Sequence, residues 1–436
     1  LRDHRSHLRP LPAVTTLRRV SAWYRPSPDG ARFQLTGWAD GTALQGVSVS
    51  GVYRPEERRV VAEIGVRGAS LPHWQRYFRA VRSLPAVSGV ADANATLHWK
   101  RGERPRVTGV VACRGAAATP RMLYRPLVAD ALRLRFQNNH LHLTATGTCG
   151  DTRAKVEGEI VLRPGGGNMD LQVHAPRVTL AGLQQSVRGV PRLRGLTWDA
   201  PATVTARLHG HPRHWQVDAD ARLRGGSANG VPFTNVCALV VYRRDTRRAE
   251  VHRLTARVAG AAVSAHGFID YREPPARLSF WGEALELKVA ECPSPIPLPR
   301  DGKASLRFGV TGTVRSVQVR AEAHASTLAV GAARLARLHA HVDYHTGGVA
   351  AVRARVGEIR LETTAAAWLP RAHSATATFH IDPQGVRIAR GEVCFPGTSA
   401  AVCGSVSRSG ALDLVLDAPR LPVALFQGAL PPHMAA

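Results

Sequence analysis

The chain has 436 residues and a formal net charge of +26, with 58 Lys and Arg against 32 Asp and Glu. This length allows roughly two to four separate domains or one elongated array, and excludes a single small domain. Hydrophobic residues make up 44% but aromatic residues only 6%. Gly and Ala recur throughout, which favours thin, closely packed layers over a core of bulky side chains. No run of about 18 apolar residues occurs, so the sequence predicts no membrane-spanning helix.

The positive charge comes almost entirely from arginine. Lysine occurs only at Lys100, Lys155, Lys288 and Lys303. The arginines are spread along the chain and form no basic arm, whereas nucleic-acid binding draws on clustered cations. We therefore interpret the charge as a diffusely basic solvent face and expect no nucleic-acid partner.

Alternation of apolar and polar residues is the dominant local signal, and it predicts β-strands. In chain order it runs through residues 47–53, 60–66, 140–145, 215–223, 317–323 and 352–356. Turn sequences such as Pro28-Asp29-Gly30 and Arg300-Asp301-Gly302 separate the runs. Each predicted strand therefore has one apolar and one polar face.

Helical periodicity is rare in this chain. The best case is an amphipathic helix over residues 70–87, which Ser70 can cap. A weaker candidate covers residues 180–190. The Pro-rich stretch 285–299 predicts a linker between two blocks of strands.

Three stretches about a hundred residues apart follow one pattern, beginning at Leu97, Ala206 and Arg307. Each has a strand-like run, a turn with Gly and a basic residue, and a second strand-like run. We therefore expect a long-period β repeat, which is typical of an extended scaffold. Its expected divisions are a partial repeat with the helix over residues 1–90, repeats over 91–200 and 201–302, and a last repeat with a Pro-rich tail over 303–436.

Motifs for catalysis and metal binding are missing from the sequence. No GxSxG, HExxH or phosphate-binding glycine motif occurs in a suitable context, so we expect no catalytic residues, no cofactor and no enzyme activity. Pairs of His at alternate positions would project both rings to one face of a strand, as metals require. The pairs are His140/His142, His209/His211 and His339/His341. They share no motif with a carboxylate or Cys, so we interpret them as part of a solvated polar face and expect no metal site.

Six cysteines are present, and none forms a CxxC motif. Cys394 and Cys403 flank a Pro-Gly turn and could lie on paired strands. A disulfide between them in an oxidising compartment and two buried thiols are equally compatible with this spacing.

A sheet with one apolar face must hide that face from water. It can pack onto a second sheet, close on itself, or curl into a groove whose apolar interior takes lipid tails. Periodicity alone slightly favours the sandwich.

The order of elements adds a resemblance. A short helix, Gly and alternating strands joined by Gly-x-basic turns resemble the TamB/AsmA-like proteins of diderm bacteria, over residues 71–84, 173–223 and 237–289. The resemblance covers most of the chain, from about Phe33 to Phe426. It implies a half-open β-groove with an apolar interior that carries phospholipids across the periplasm toward the outer membrane. It also implies a tether in the inner membrane and, for the TamB type, an Omp85-class outer-membrane barrel as partner.

We therefore expect an all-β fold, an elongated antiparallel sheet curled into a half-open groove and punctuated by a few short helices. The expected function is shielding of phospholipid acyl chains in a periplasmic fragment, anchored in the inner membrane by a segment outside this chain. The apolar alternates expected to line the groove are Val60, Ala62, Ile64, Leu141, Leu143, Val217, Ala219, Leu223, Val317, Val319, Val352 and Val356.

Two other functions stay open. A structural or adhesive surface protein of β repeats would have a closed core filled by side chains and no bound lipid. A basic polyanion-binding module would bind nucleic acid or lipopolysaccharide with strong salt dependence.

Overall fold

The structure is a computed structural model that describes residues 17–39, 45–72, 87–103, 105–120, 123–162, 167–186, 196–211, 214–228, 230–258, 260–288, 301–313, 316–330, 333–345, 350–361, 374–382, 385–395, 397–407 and 411–420. The chain forms two units. Unit 1 comprises Leu1–Arg192 and Pro201–Asp220, and unit 2 comprises Leu193–Ala200 and Ala221–Ala436.

Unit 1 is built from antiparallel strands and one short helix, α1 (Leu180–Ser186). Its strands are β1 (Leu17–Ser27), β2 (Gly30–Ala39), β3 (Gln45–Arg54), β4 (Arg59–Ser70), β5 (Val87–Lys100), β6 (Arg106–Ala118), β7 (Leu127–Gln137), β8 (His140–Cys149), β9 (Thr152–Val161), β10 (Asn168–Val178), β12 (Ala202–His211) and the first part of β13 (His214–Ala228).

Unit 2 contains the remaining strands. They are β11 (Leu196–Trp198), the last part of β13, β14 (Val231–Arg243), β15 (Arg248–Val258), β16 (Ala261–Asp270), β17 (Arg277–Lys288), β18 (Asp301–Thr313), β19 (Ser316–Val330), β20 (Ala333–His345), β21 (Ala350–Leu361), β22 (Ser374–Asp382), β23 (Gly385–Phe395), β24 (Thr398–Ser407) and β25 (Leu412–Asp417). Within the described ranges, no helix is long and apolar enough to cross a membrane.

Strand order follows chain order in both units. In unit 1, β1 to β10 pair in sequence. The next partner of β10 is β12, and α1 and β11 lie between these two strands in the chain. In unit 2, β14 to β25 pair in sequence, and β11 pairs with β13. Among the described strands, no pairing joins the first strand of a ladder to its last. The predicted antiparallel all-β fold is therefore confirmed, and each ladder is open.

The predicted local elements can be compared with this architecture. The six alternating runs all lie in strands. The helix predicted over residues 180–190 is confirmed over Leu180–Ser186 as α1, and residues 187–190 lie outside the described ranges. Of the helix predicted over residues 70–87, Leu71 and Pro72 are helical, Val87 already begins β5, and residues 73–86 lie outside the described ranges.

The prediction of a linker over residues 285–299 is wrong for its first four residues. Leu285 pairs with Ala262 and Lys288 pairs with Lys303, so residues 285–288 complete β17. Residues 289–300 lie outside the described ranges. The expected divisions near residues 90 and 303 fall within β5 and β18, and the three similar stretches span β5–β6, β12–β13 and β18–β19.

β-Bulges recur near one end of the strands. In unit 1 the register shifts near the start of β1, β5 and β7 and near the end of β4 and β10. Because neighbours are antiparallel, these positions share one edge of the ladder. In unit 2 the register also shifts near the start of β14 and β18 and near the end of β17. A bulge bends its strand and increases local twist, and the bulges of unit 1 form a line near this edge.

A cluster of small buried residues lies along this line in unit 1. Ala69, Ala91, Cys113 and Ala116 are buried together, with Val66, Leu71, Val111, Ala129 and Leu132 packed against them. We call these residues the bulge cluster. The bulges of β4 and β6 place Gly68 and Gly115 at φ +71° and +60°, a left-handed conformation that glycine adopts without strain.

Asp92 links these bulges from the other side of the sheet. Its carboxylate accepts a 2.8 Å hydrogen bond from the Gly68 N–H and another of 2.8 Å from Arg114 Nη2. The bond from the Gly68 backbone, assisted by Arg114 and Arg67, lowers the pKa of Asp92. Burial raises the pKa of the Cys113 thiol, as does the nearby charge of Asp92. The bulged region of β4 to β6 thus has small buried apolar residues on one side and a hydrogen-bonded carboxylate on the other.

Small side chains dominate what is buried. Among the described residues, the buried hydrophobic set consists mainly of alanines, and Leu223 is its one large aliphatic residue beyond valine. The described Phe, Ile and Met side chains are at least partly exposed. In a sandwich core the large inward-facing side chains are the buried ones. Within the described ranges, this burial pattern differs from that of a filled sandwich core.

Glycine and phenylalanine face each other across neighbouring strands in both units. The direct pairs are Phe33–Gly51, Phe136–Gly109, Phe280–Gly267 and Phe308–Gly282. A Cβ added at these glycines would lie 2.6–2.9 Å from the paired ring. Each ring therefore covers the glycine backbone of the adjacent strand, a contact known to stabilise strand glycines.

We expect Gly109→Ala to destabilise the protein by about 1–3 kcal/mol, the usual effect of overpacking. Its Cβ would lie 2.6 Å from the Phe136 ring and 2.4 Å from the Asn94 carbonyl oxygen. Gly46→Ala is the matched control, since its nearest atoms lie at 3.8 and 4.0 Å, and should stay within about 0.5 kcal/mol. Urea unfolding of the variants measures both. Equal stability of the two would contradict the packing role of the ring.

Candidate functional site: the two faces of the sheet

Apolar residues lie directly opposite one another on strand after strand of unit 1. One such row crosses eleven strands and consists of Ala22, Leu35, Val49, Ile64, Ala95, Gly109, Phe136, Leu141, Ile160, Met169 and Gly210. A parallel row consists of Gly37, Val47, Val66, Ala93, Val111, Leu134, Leu143, Gly158, Leu171 and Leu208. Directly opposed residues project to the same side, so these rows form one apolar face.

Unit 2 has an apolar face of the same kind. One row consists of Val240, Val251, Gly267, Phe280, Val310, Val319 and Tyr344. The next consists of Ala265, Gly282, Phe308, Ala321 and Val342. Val251 and Leu254 are three residues apart, a spacing that would place them on opposite faces of a regular strand. The bulge between them keeps Leu254 paired with Ala265 of the apolar face.

The structure gathers the predicted lining residues of unit 1 on its apolar face. Ile64 and Leu141 share the first row and Leu143 lies in the second. Val60 and Ala62 alternate with Ile64 on β4. Asp218 contacts His209 on the other face, so its neighbours Val217 and Ala219 project to the apolar side.

The remaining predicted residues belong to unit 2. Val319 lies in its first apolar row, and Val317 pairs with Gly312 two positions away. Leu223 is buried. Val352 and Val356 lie in β21 opposite Val342 and Leu338, but their side chains are outside the described part of the structure.

Most of the large side chains in these rows are half-buried. In unit 1, Ile64, Phe136, Leu141, Ile160 and Met169 all remain accessible to solvent in part, although each is strongly apolar. The polar residues between them are generally more exposed, as the alternating burial of β7 and β8 shows. An apolar surface that is continuous and partly accessible indicates a place where another apolar molecule or surface can bind.

The opposite face carries paired charges of both signs. Asp170 accepts two hydrogen bonds from Arg207, from Nε at 2.8 Å and Nη2 at 2.7 Å, and these bonds lower the pKa of Asp170. Arg320 Nε lies 3.3 Å from Asp343 Oδ1. The predicted polar face is thus an ion-paired surface, on which carboxylates offset part of the arginine charge.

The three His-x-His pairs lie in strands, and the described residues contain no cluster of three or more His, Cys, Asp or Glu that could hold a metal. His140 contacts Glu159, and His209 Nε2 lies 2.8 Å from Asp218 Oδ2. Burial raises the pKa of Asp218, but the hydrogen bonds from Gln216 and His209 outweigh it, so that this pKa is lowered. The His339 ring stacks edge-on with His324 at 4.4 Å.

Cys394 and Cys403 lie on the paired strands β23 and β24, but the register does not place them opposite each other. Cys394 pairs with Ser399 and Cys403 with Val415. Four residues of strand separate Ser399 from Cys403, about 13 Å, beyond the Cα separation of a disulfide. Both thiols are free, Cys394 half-buried and Cys403 exposed.

The sequence patterns did not single out Trp281, which lies on the polar face of unit 2. Its side chain is 45% exposed and forms one wall of a groove of about 840 Å³ on that face. The sequence indicates the position of Trp281 only by its place among the polar alternates of β17. It does not show that Gly309 lies opposite, because that neighbour depends on the pairing of β17 with β18.

Asp270 gives the polar face a measurable pH dependence. Hydrogen bonds from the Arg272 side chain (2.5–3.0 Å) and backbone N–H lower its pKa from 3.8 to about 2. Because the folded pKa is the lower one, the bonds stabilise the fold above about pH 4, and this stabilisation is lost as the pH falls toward 2.

We expect Asp270→Asn to lower the urea midpoint at pH 7, with the difference from the wild type shrinking toward zero near pH 2. Arg272→Ala removes the donor and should give the same pH profile, and the double variant should add little. A difference between wild type and Asp270→Asn that stays constant from pH 7 to pH 2 would contradict this assignment.

Comparisons of the chain with protein-family models, with curated proteins and with solved structures found no match. The resemblance to TamB/AsmA-like proteins therefore depends on the strand pattern alone.

Proposed function

We propose that this protein binds lipid acyl chains along its apolar face and shields them from water. The observation that carries the proposal is the apolar row that crosses eleven strands of unit 1 without a polar residue. A row of this kind offers an acyl chain apolar contact across the whole ladder, whereas a string of separate domains would interrupt it.

Burial along the bend supports an apolar side that faces inward. The small residues of the bulge cluster are buried, and the described residues packed against them come from β4, β6 and β7 and from Leu71 just after β4. On the same strands Arg114 is exposed on the polar side. We therefore propose that the ladder of unit 1 curls with its apolar face inside, forming a half-open groove.

The half-buried state of the large apolar side chains separates this proposal from the closed-core alternative. A structural β repeat with a filled core would bury Phe136, Ile160 and Phe280, which are instead partly accessible. The mixed charges of the polar face also fit a polyanion poorly, because Asp170, Asp218 and Asp343 lie among its cations. Lipid binding is the function that this distribution favours.

The mechanism is passive and uses burial alone. Shielding one methylene of an acyl chain from water is worth about 0.8 kcal/mol, so a chain laid along several strands is held without specific bonds. A uniform lining lets the chain slide from one row to the next, since each position offers similar contacts. Phospholipid headgroups would remain at the open side of the groove, within reach of arginine side chains that bind phosphate.

The cellular setting is part of the same proposal and comes from the resemblance to TamB/AsmA-like proteins. There the protein would form part of a periplasmic bridge between the inner and outer membranes, with a tether in the inner membrane. It would support phospholipid transport and outer-membrane assembly, with an Omp85-class barrel as a further partner.

Val319→Asp tests lipid binding on the apolar face. Val319 lies between Val310 and Tyr344 in the apolar row of unit 2. A carboxylate there would have to be desolvated beside an acyl chain, which costs at least 1–3 kcal/mol. We expect the phospholipid recovered per protein after purification to fall about fivefold or more, measured by mass spectrometry of the extracted lipids.

Gln318→Asp is the matched control, because Gln318 is the adjacent residue on the polar face, and it should retain its lipid. Circular dichroism should show both variants folded. Wild-type protein without phospholipid and without uptake of a fluorescent lipid would contradict the proposal. Unfolding of Val319→Asp alone would instead favour a filled core.

A further inference from the structure

A second candidate surface lies on the polar face of unit 2, on the opposite side from the proposed lipid site. Trp281 of β17 projects there and is 45% exposed, although Trp is usually largely buried. His266 and Phe268 of the neighbouring strand β16 flank it, with ring centroids 6.1 and 6.4 Å away. The His266 ring is stacked at 29° to the indole. The Arg248 guanidinium covers the Phe268 ring, with its Cζ 3.6 Å from the ring centroid, so Trp281 and His266 form the aromatic platform that lines the groove.

A glycine opens the space beside this platform. Gly309 of β18 pairs directly with Trp281, and a Cβ built on it would lie 3.6 Å from the indole Cδ1. Beyond the glycine, Arg320 of β19 and Asp343 of β20 continue the same row. The row from His266 to Asp343 spans five strands, about 19 Å at the usual strand spacing.

The groove so formed is lined by hydrogen-bonding groups on both sides. Its volume of about 840 Å³ lies within the roughly 300–1,000 Å³ of small-molecule clefts. Next to the aromatic row runs a second row of Ser264, Glu283, Arg307, Glu322 and His341, all of which line the groove. Donors and acceptors therefore alternate along the groove next to the indole.

The charge of the groove differs from that of the chain. Two arginines, Arg307 and Arg320, face three carboxylates, Glu283, Glu322 and Asp343. With both histidines neutral, the formal charge is −1, whereas the chain carries +26. A polyanion would meet repulsion from the carboxylates, and a strongly cationic ligand would meet the arginines. The balance favours an uncharged ligand rich in hydroxyl groups.

We propose that this groove binds a neutral, linear oligosaccharide. A pyranose ring has C–H groups on one face, which pack on the electron-rich face of an indole, and hydroxyls at its rim, which both donate and accept hydrogen bonds. Trp281 would stack on one sugar. Arg307 and Arg320 would donate to its hydroxyl oxygens, and Glu283 and Glu322 would accept from its hydroxyls. The length of the row fits a chain of several sugar units.

Isothermal titration of the purified wild-type chain with N-acetylchitohexaose, cellohexaose and maltohexaose tests the proposal. We expect at least one hexaose to bind, and Trp281→Ala to weaken that binding about tenfold or more, the size of effect that loss of an aromatic stacking partner has for nucleic-acid bases. Arg320→Ala should also weaken binding. Trp38→Ala is the matched control, because Trp38 is also exposed and pairs with a glycine, Gly46, but lies in unit 1.

Three outcomes would overturn the proposal. The first is the absence of binding of all three hexaoses at about 10 mM, a concentration well above a millimolar Kd. The second is equal binding by wild type and a folded Trp281→Ala. The third is binding of dextran sulfate alone that disappears with added salt, which would indicate a polyanion site. Lipid recovery from Trp281→Ala should match the wild type, so failure here is distinguishable from failure of lipid binding.

Discussion

The structure depends on one constraint, the register between neighbouring strands. Successive side chains of a strand point to opposite faces, so a slip of one residue would exchange the faces of that strand. The row from Ala22 to Gly210 keeps its apolar side over eleven strands. Every property of the two faces, including the proposed lipid surface and the ion pairs, follows from this alignment.

The bulges keep this alignment where a strand contains an extra residue. At the end of β4 the apolar positions change from Val66 to Ala69, an odd step that would reverse the face in a regular strand. The extra residue of the bulge absorbs the step, and Ala69 joins Ala91 and Cys113 on the apolar side. Alanine and cysteine suit this place because their small side chains fit among closely packed neighbours. In Phe–Gly pairs such as Phe136–Gly109 the ring covers the glycine backbone of the adjacent strand.

The two faces differ in the interactions that they offer. The apolar face offers hydrophobic contact, which has no directional requirement and therefore suits acyl chains of different length and composition. The polar face offers directed hydrogen bonds, most of them committed to cross-strand pairs such as Asp170–Arg207. Around Trp281 a glycine opens the face and leaves a groove with mixed charges. The proposed lipid and oligosaccharide sites of unit 2 would therefore lie on opposite faces of the same strands.

The amino-acid sequence by itself determined the strands and the residues that share a face, because alternation is a local property of the extended backbone. It placed Ile64, Leu141 and Val319 on apolar faces in this way. Only the tertiary structure decided which residues lie opposite one another, since pairing depends on strands far apart in the chain. That is why Cys394 lies beside Ser399 and not Cys403, why β17 continues to Lys288, and why Trp281 lies beside Gly309.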